Sequence, residues 1–225
     1  MYAPIVTICI YYNLGMPSPK VKHSIQTLWK ACQLWWQDWS NLETVSLLAV
    51  LLSLTVFLAP IAYFGLLQVT TDLSHGQRSG LAGFWTAFKQ HWNPALVWGL
   101  VSLGLLGPLG LGFWYFAINP ATFSLAGLIL CGAGILIIFT ISQLTAACFF
   151  LQEPQTLSLA LKNAWASLLL HPGYLIGCGL IAFVLSLLSV RYYLPLFVGI
   201  ESLLALFSIL QIQRTLGKEP DPLTK

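Results

Sequence analysis

The sequence predicts an all-α membrane protein: five transmembrane helices, three amphipathic helices lying in the membrane interface, and a parallel internal repeat. The first observation behind this is a run from Gln90 to Gln152 with no Asp, Glu, Lys or Arg, flanked by charge-free runs over Thr44–Thr71 and Asn163–Val190. A spanning helix needs about 20 apolar residues, so the central run holds two. The second is composition: 57% hydrophobic, 8% charged, mean hydropathy +0.80, against roughly 25% charged in soluble domains. The third is a set of tryptophan-rich segments with helical periodicity between the apolar runs.

Taken in order, the first 15 residues, MYAPIVTICIYYNLG, lack the basic start and cleavage site of a secretory signal and are too short to span. Residues 1–19 therefore read as a tail, with Met16 an alternative translation start. Residues 20–213 form a single helical membrane domain, and 214–225 a polar C-terminal tail. Within the domain, Ile25, Leu28, Trp29, Cys32, Trp35, Trp36 and Trp39 recur at helical spacing, opposite Gln26, Lys30, Gln33 and Gln37. The first span is expected over 44–68. A second stripe follows, Leu81, Phe84, Trp85, Phe88 and Trp92, beside Arg78 and Lys89. Spans at 94–117, kinked at Pro108, and at 123–151 are separated by a bend at Asn119-Pro120. The third stripe, Leu157, Leu161, Ala164, Trp165 and Leu168, opposes Ser158, Lys162 and Ser167. Spans at 173–190 and 193–213 complete the chain. Indole rings favour the headgroup level, which sets the three stripes in the interface.

The order of span, amphipathic helix, proline and span recurs. Pro94 and Gly99 are matched 78 positions later by Pro172 and Gly177, so 44–117 and 123–190 are expected to be two units of the same orientation. With five spans, Arg78, Lys89, Lys162, Arg214, Lys218 and Lys225 fall on one side, against Lys20, Lys22, Lys30 and Arg191 on the other. The bias is small and favours cytoplasmic amphipathic loops and C-terminus.

Cys9, Cys32, Cys131, Cys148 and Cys178 have no C-x-x-C spacing, and His23, His75, His91 and His171 have no i, i+4 pairing, so neither a metal nor another cofactor is expected. Nucleotide and nucleophile motifs are missing, and Gly104 to Gly112 lies inside a span where glycines permit close packing. An enzyme is not expected, nor is nucleic-acid binding, since the net charge of +3 is not gathered into a stripe.

Leu58-Ala59-Pro60-Ile61, then Gly65, and Phe84-Trp85-Thr86-Ala87-Phe88-Lys89-Gln90-His91 before a new span resemble the YesL-like bacterial multi-pass membrane proteins, a family whose domain is of unknown function. Tyr63 stands where that family carries threonine. The resemblance covers about residues 44–175 and implies a bacterial plasma membrane protein with an accessory link to carbohydrate uptake. Leu161-Lys162-Asn163-Ala164-Trp165 leading into His171-Pro172 also looks like a pattern in several multi-span families, including the membrane domain attached to some glycerophosphodiesterases. Neither resemblance brings a catalytic residue.

Glu201 is the one ionisable side chain near the middle of a span. A carboxylate at that depth costs about 2.5–3.5 kcal/mol on insertion scales, so it is expected to face the bundle interior. Gln143, Ser142 and Thr140 of the third span are its expected polar neighbours, and Glu201 with Gln143 are the candidate site residues. The leading functional expectation is a non-catalytic accessory or scaffold component of a membrane system; the alternative is a small transporter or channel built on Glu201. The expected partners are the lipid bilayer and a second membrane protein or second copy of the chain.

Overall fold

The computed structural model describes residues 22–55, 57–119, 123–191 and 195–216. The tail over 1–19 with its alternative start, Pro120 of the expected bend, and the C-terminal tail beyond Leu216 lie outside the described residues. The rest is helical, with no strand among the described residues: α1 (Lys22–Gln37), α2 (Trp39–Ser53), α3 (Ala59–Ser74), α4 (Gly80–Gln90), α5 (Trp92–Ile118), α6 (Ser124–Leu151), α7 (Leu157–Leu170), α8 (Pro172–Arg191) and α9 (Pro195–Thr215).

Three of these, α5, α6 and α8, are long and apolar enough to cross a membrane, fewer than the five helices expected. They match the spans predicted at 94–117, 123–151 and 173–190, and α5 runs through Pro108 unbroken. Sequence and structure part at the first span. Residues 44–68 are not one helix but the facing parts of α2 and α3, with turns at Leu54 and at Phe57 and Leu58 between them. At 15 and 16 residues each helix is only about 22–24 Å long, short of the roughly 30 Å hydrocarbon core. The turn's polar groups are used locally: Leu54 N–H donates to Val50 O, Thr55 N–H and its hydroxyl both reach Leu52 O, and Leu58 N–H reaches Thr55 O. Pro60 then sits in the first turn of α3, where its missing N–H costs nothing.

α9 matches the fifth predicted span and forms the centre of the bundle, touching α1, α2, α3, α6 and α8. Leu206, Phe207, Ile209 and Leu210 are buried, and so are Ser202, Ser208, Gln211 and Gln213. A helix surrounded on all sides can hold such groups if each finds a partner.

The segments predicted as amphipathic appear as α1, α4 and α7. α4 and α7 sit between the long helices as separate elements, bounded by corners at His91, at Gln152 and at His171. α1 differs from the expectation of a helix lying flat on its own: it packs antiparallel along α9. Thr27 of α1 accepts from Arg214 near the end of α9, and Trp35 Nε1 donates to Ser202 twelve residues earlier. The predicted stripe is therefore divided. Leu28, Leu34 and Trp35 pack on the core, whereas Ile25, Trp29 and Trp36 point outward, each about 70% exposed.

Two close helix approaches define the middle of the bundle. A Cβ added at Gly99 on α5 would run into the ring of Pro60 on α3, and one at Gly179 on α8 would run into Thr140 on α6. The first contact fixes the position of the start of α3: it stands beside the first third of α5, far short of its other end. At the other end of the hairpin, Asp38 before α2 pairs with Arg78 after α3, 3.7 Å apart. Both feet of α2–α3 are thus at the same end of the bundle as the start of α5.

Candidate functional site

At the tip of the α2–α3 hairpin lies a crevice of about 450 Å³, walled by Ser53, Phe57, Pro60 and Tyr63 on one side and by Leu100, Leu103 and Leu106 of α5 on the other. Gln143 from α6 and Glu201 from α9 reach into it. It exists because α3 stops at Ala59 while α5 continues for about 20 residues past Gly99, so nothing covers this face of α5 beyond the tip. Leu100, Leu103 and Phe57 are 65%, 63% and 78% exposed, which makes the crevice an open one.

The polar groups at its base are placed by packing. Tyr63 lies one turn into α3 and its ring stacks on Trp98, centroids 5.5 Å apart and planes 11° from parallel. Its hydroxyl donates to Gln143 Oε1, and Ser208 Oγ approaches the same oxygen at 3.4 Å. Trp98 Nε1 donates to Ser142 O at 3.1 Å, and the hydroxyls of Ser102 and Ser142 meet at 2.7 Å. Every one of these groups has a partner. Glu201 is the exception: half-buried on the wall, its carboxyl has no hydrogen bond or ion pair to another described residue.

The structure thus brings Glu201 and Gln143 into one crevice but does not join them. Ser142 is bonded to α5, and Thr140 donates to Leu136 O of its own helix at 2.7 Å. Two residues of the site escaped the sequence reading, Tyr63 and Trp98, because aromatic side chains inside apolar runs carry no positional signal of their own.

On another face of α5 runs a second groove, about 370 Å³, lined by Val97, Val101, Leu105, Ile138, Ile141 and Trp165 and lacking any charged group. Trp98 and Ser102 border both cavities.

A separate polar network closes the opposite end of the bundle. Arg214 donates to His23 O, to Thr27 Oγ1 at 2.8 Å and to Gln26 Oε1. Thr27 in turn meets the Tyr174 hydroxyl at 2.9 Å, tying α1 to α8 and α9. Gln213 donates to Ser74 Oγ at 2.8 Å, and Asn163 to Gln152 Oε1 at 2.8 Å. These bonds lock helix ends together. His91 and His171 fill the corners before α5 and α8, each 7% exposed. Burial pushes both pKa values down, so both rings are held neutral. Among the described residues no three His, Cys, Asp or Glu side chains gather as a metal site would require.

The fold and crevice define a class, an all-helical protein among whose described helices three are long and apolar enough to cross a membrane, with a crevice holding Glu201 at the tip of the α2–α3 hairpin. Compared with family models, with curated proteins and with solved structures, the chain has no match.

Proposed function

We propose that the chain is a multi-pass protein of the cell membrane that holds a ligand in the crevice around Glu201, in the manner of a small transporter or ligand-responsive membrane component, without catalysing a reaction. The observation that carries this reading is the coincidence of an unpartnered carboxyl with an open crevice at mid-depth. Intramembrane ionisable groups that face a cavity mark binding or conduction.

The proposed membrane placement takes α5 as the ruler. Trp92 and Trp114, 57% and 60% exposed, are separated by about 33 Å of helix, close to the roughly 30 Å between two interfacial belts. On this scale Gly99 stands about 10 Å in from Trp92 and the crevice wall from Leu100 to Leu106 spans the middle, so α2–α3 is a re-entrant hairpin and α5, α6, α8 and α9 cross. The change from five crossings to four reorders the charges. Lys22, Lys30, Arg78, Lys89, Lys162 and Arg214 share one end, and Arg191 alone among the described basic residues belongs to the other. That asymmetry favours a cytoplasmic N-terminus and C-terminus far more strongly than the five-span count does.

A deletion strain of the source organism, profiled for growth against a panel of toxic and nutrient compounds, tests the reading. Wild type should restore the phenotype, while Glu201→Gln and the crevice-filling Leu103→Trp should not, at equal protein level in the membrane. Full rescue by both variants would discard it.

The second reading is an accessory or scaffold subunit, with the carbohydrate link implied by the YesL-like resemblance. It is favoured by the far halves of α5 and α6, where Leu111, Trp114, Leu125 and Ile129 are all more than half exposed. Carbohydrate in the crevice itself is disfavoured, since a sugar needs several free donors and acceptors and Gln143 Oε1, Ser102 and Tyr63 are already engaged.

A further inference from the structure

We infer that the ligand of the Glu201 crevice is a lipophilic monocation, an ammonium or equivalent positive centre on an apolar body; this rests on the ligand-holding role proposed above. Charge complementarity carries the argument. Glu201 is the one charged group of a crevice walled mainly by leucines, Phe57 and Pro60, with Ser53, Ser102 and Gln143 as neutral polar groups, and no described cation of the protein pairs with it. Arg214, at the far end of the same helix, is committed to His23, Gln26 and Thr27. A carboxylate at that depth is costly alone and is relieved by a proton or by a positive partner; the described protein supplies no such cation, so a positive charge on the occupant is what stabilises the ionised form.

The walls narrow the class. Tyr63 and Trp98, stacked on one another, border the crevice beside Glu201, and aromatic faces attract cations when water is excluded. The Tyr63 and Ser102 hydroxyls and Gln143 Oε1 are bonded within the protein, so the carboxyl of Glu201 is the strongest recognition element of the crevice, and it repels anions. A volume of about 450 Å³ falls in the range of small-molecule sites. The exposed leucines of α5 at the mouth provide a path for an apolar tail.

The test uses three amphiphiles with one tail and different heads: dodecyltrimethylammonium, dodecanol and dodecyl sulfate. Each is titrated calorimetrically into full-length protein in nanodiscs of zwitterionic lipid, with empty nanodiscs as the blank. Saturable binding of the ammonium is expected, with both other heads weaker by roughly tenfold or more, as a desolvated charge and its aromatic contact imply. Glu201→Gln should lose roughly tenfold for the ammonium alone, Glu201→Asp should retain part of the affinity, and Leu103→Trp should abolish binding with Glu201 intact. Thermal melts establish that each variant is folded. Equal ammonium affinity in wild type and Glu201→Gln overturns the inference. Saturable binding of dodecanol or dodecyl sulfate as tight as the ammonium also overturns it, while leaving the ligand-holding role standing. No saturable binding of any of the three removes both.

Discussion

The three-helix regions α3–α4–α5 and α6–α7–α8 run in the same order and direction, and they touch at corresponding places. Pro60 meets Gly99 in the first, and Thr140 meets Gly179 in the second; His91 and His171 occupy the corner before the last helix of each. All three correspondences fall 80 positions apart, two more than the offset suggested by Pro94 and Pro172. The regions differ in one respect. α6 has 28 residues and α3 has 16, because the chain turns at Leu54 and at Phe57 and Leu58 where α6 continues. The volume that the far half of α6 fills in one region is open in the other, and it is the crevice. The site therefore lies where α3 is shorter than α6, which we offer as the physical origin of a cavity in so apolar a bundle. It also explains why Tyr63 and Gln143, themselves 80 positions apart, bond to each other across the middle.

The largest effect expected from this comparison is all-or-none. In a cysteine-free background, single cysteines at Lys30, Gln77 and Lys162 should react with an impermeant maleimide from one side of the membrane and a cysteine at Asn119 from the other. A cysteine at Phe57 should react from neither. Labelling of Lys30 and Lys162 from opposite sides would restore a fifth crossing and remove the short-helix account.

Much of the fold was legible. Residues 94–117, 123–151, 173–190 and 193–213 reappear within about two residues as α5, α6, α8 and α9, because spanning length and the absence of charge are properties of a linear stretch. The hairpin was not legible for the same reason: a hydropathy window counts apolar residues and is blind to where they fold back. Leu54-Thr55-Val56-Phe57-Leu58 contains no Gly, Asn or Asp to mark a turn. Pro60 was the available signal. It opens a helix, yet inside an apolar run it reads as a kink. Of the site, Glu201 was visible as a lone carboxylate, whereas the crevice depends on α3 being short and could not be seen before the hairpin was.

Next in size are the two close approaches. Gly99→Ala should destabilise by about 1–3 kcal/mol, since the added methyl must displace Pro60. Gly179→Ala should cost a similar amount against Thr140. Gly104→Ala, with open space around its Cβ position, should be neutral or gain up to about 1 kcal/mol from helix propensity. Thermal or denaturant melts of the three variants in one detergent decide this. A cost at Gly104 matching that at Gly99 would mean that α5 is packed beyond the hairpin tip.

A smaller loss is expected from Tyr63→Phe, about 0.5–1.5 kcal/mol for the hydrogen bond to Gln143. The loss should shrink when Gln143→Leu is made together with it, because the buried amide then no longer lacks its partner. A double-mutant cycle measures this coupling directly. Additive effects would separate Tyr63 from Gln143 and leave the two regions joined only by apolar packing.

The smallest effect concerns the corners. Both ring nitrogens of His171 are buried without a hydrogen-bond partner, and burial pulls the pKa of His171, like that of His91, below the ordinary histidine value. With the folded pKa lowered, the unfolded chain binds more protons at mildly acidic pH. The stability linked to each histidine is then complete above the unfolded pKa of about 6.5 and declines as pH falls toward the folded value. Melts of wild type should therefore weaken between neutral and mildly acidic pH. His171→Phe should flatten part of that slope at little cost at neutral pH, since a ring with unbonded nitrogens contributes mainly its volume. His91 is different in its surroundings: its ring lies edge-on to Phe149 and Phe150, 5.3 and 5.5 Å between centroids. His91→Phe should flatten the slope as well while testing whether that aromatic corner accepts a third phenyl ring. If neither variant changes the pH dependence, the two corners titrate alike in the folded and unfolded chains, and their burial is too loose for the matched roles that the comparison gives them.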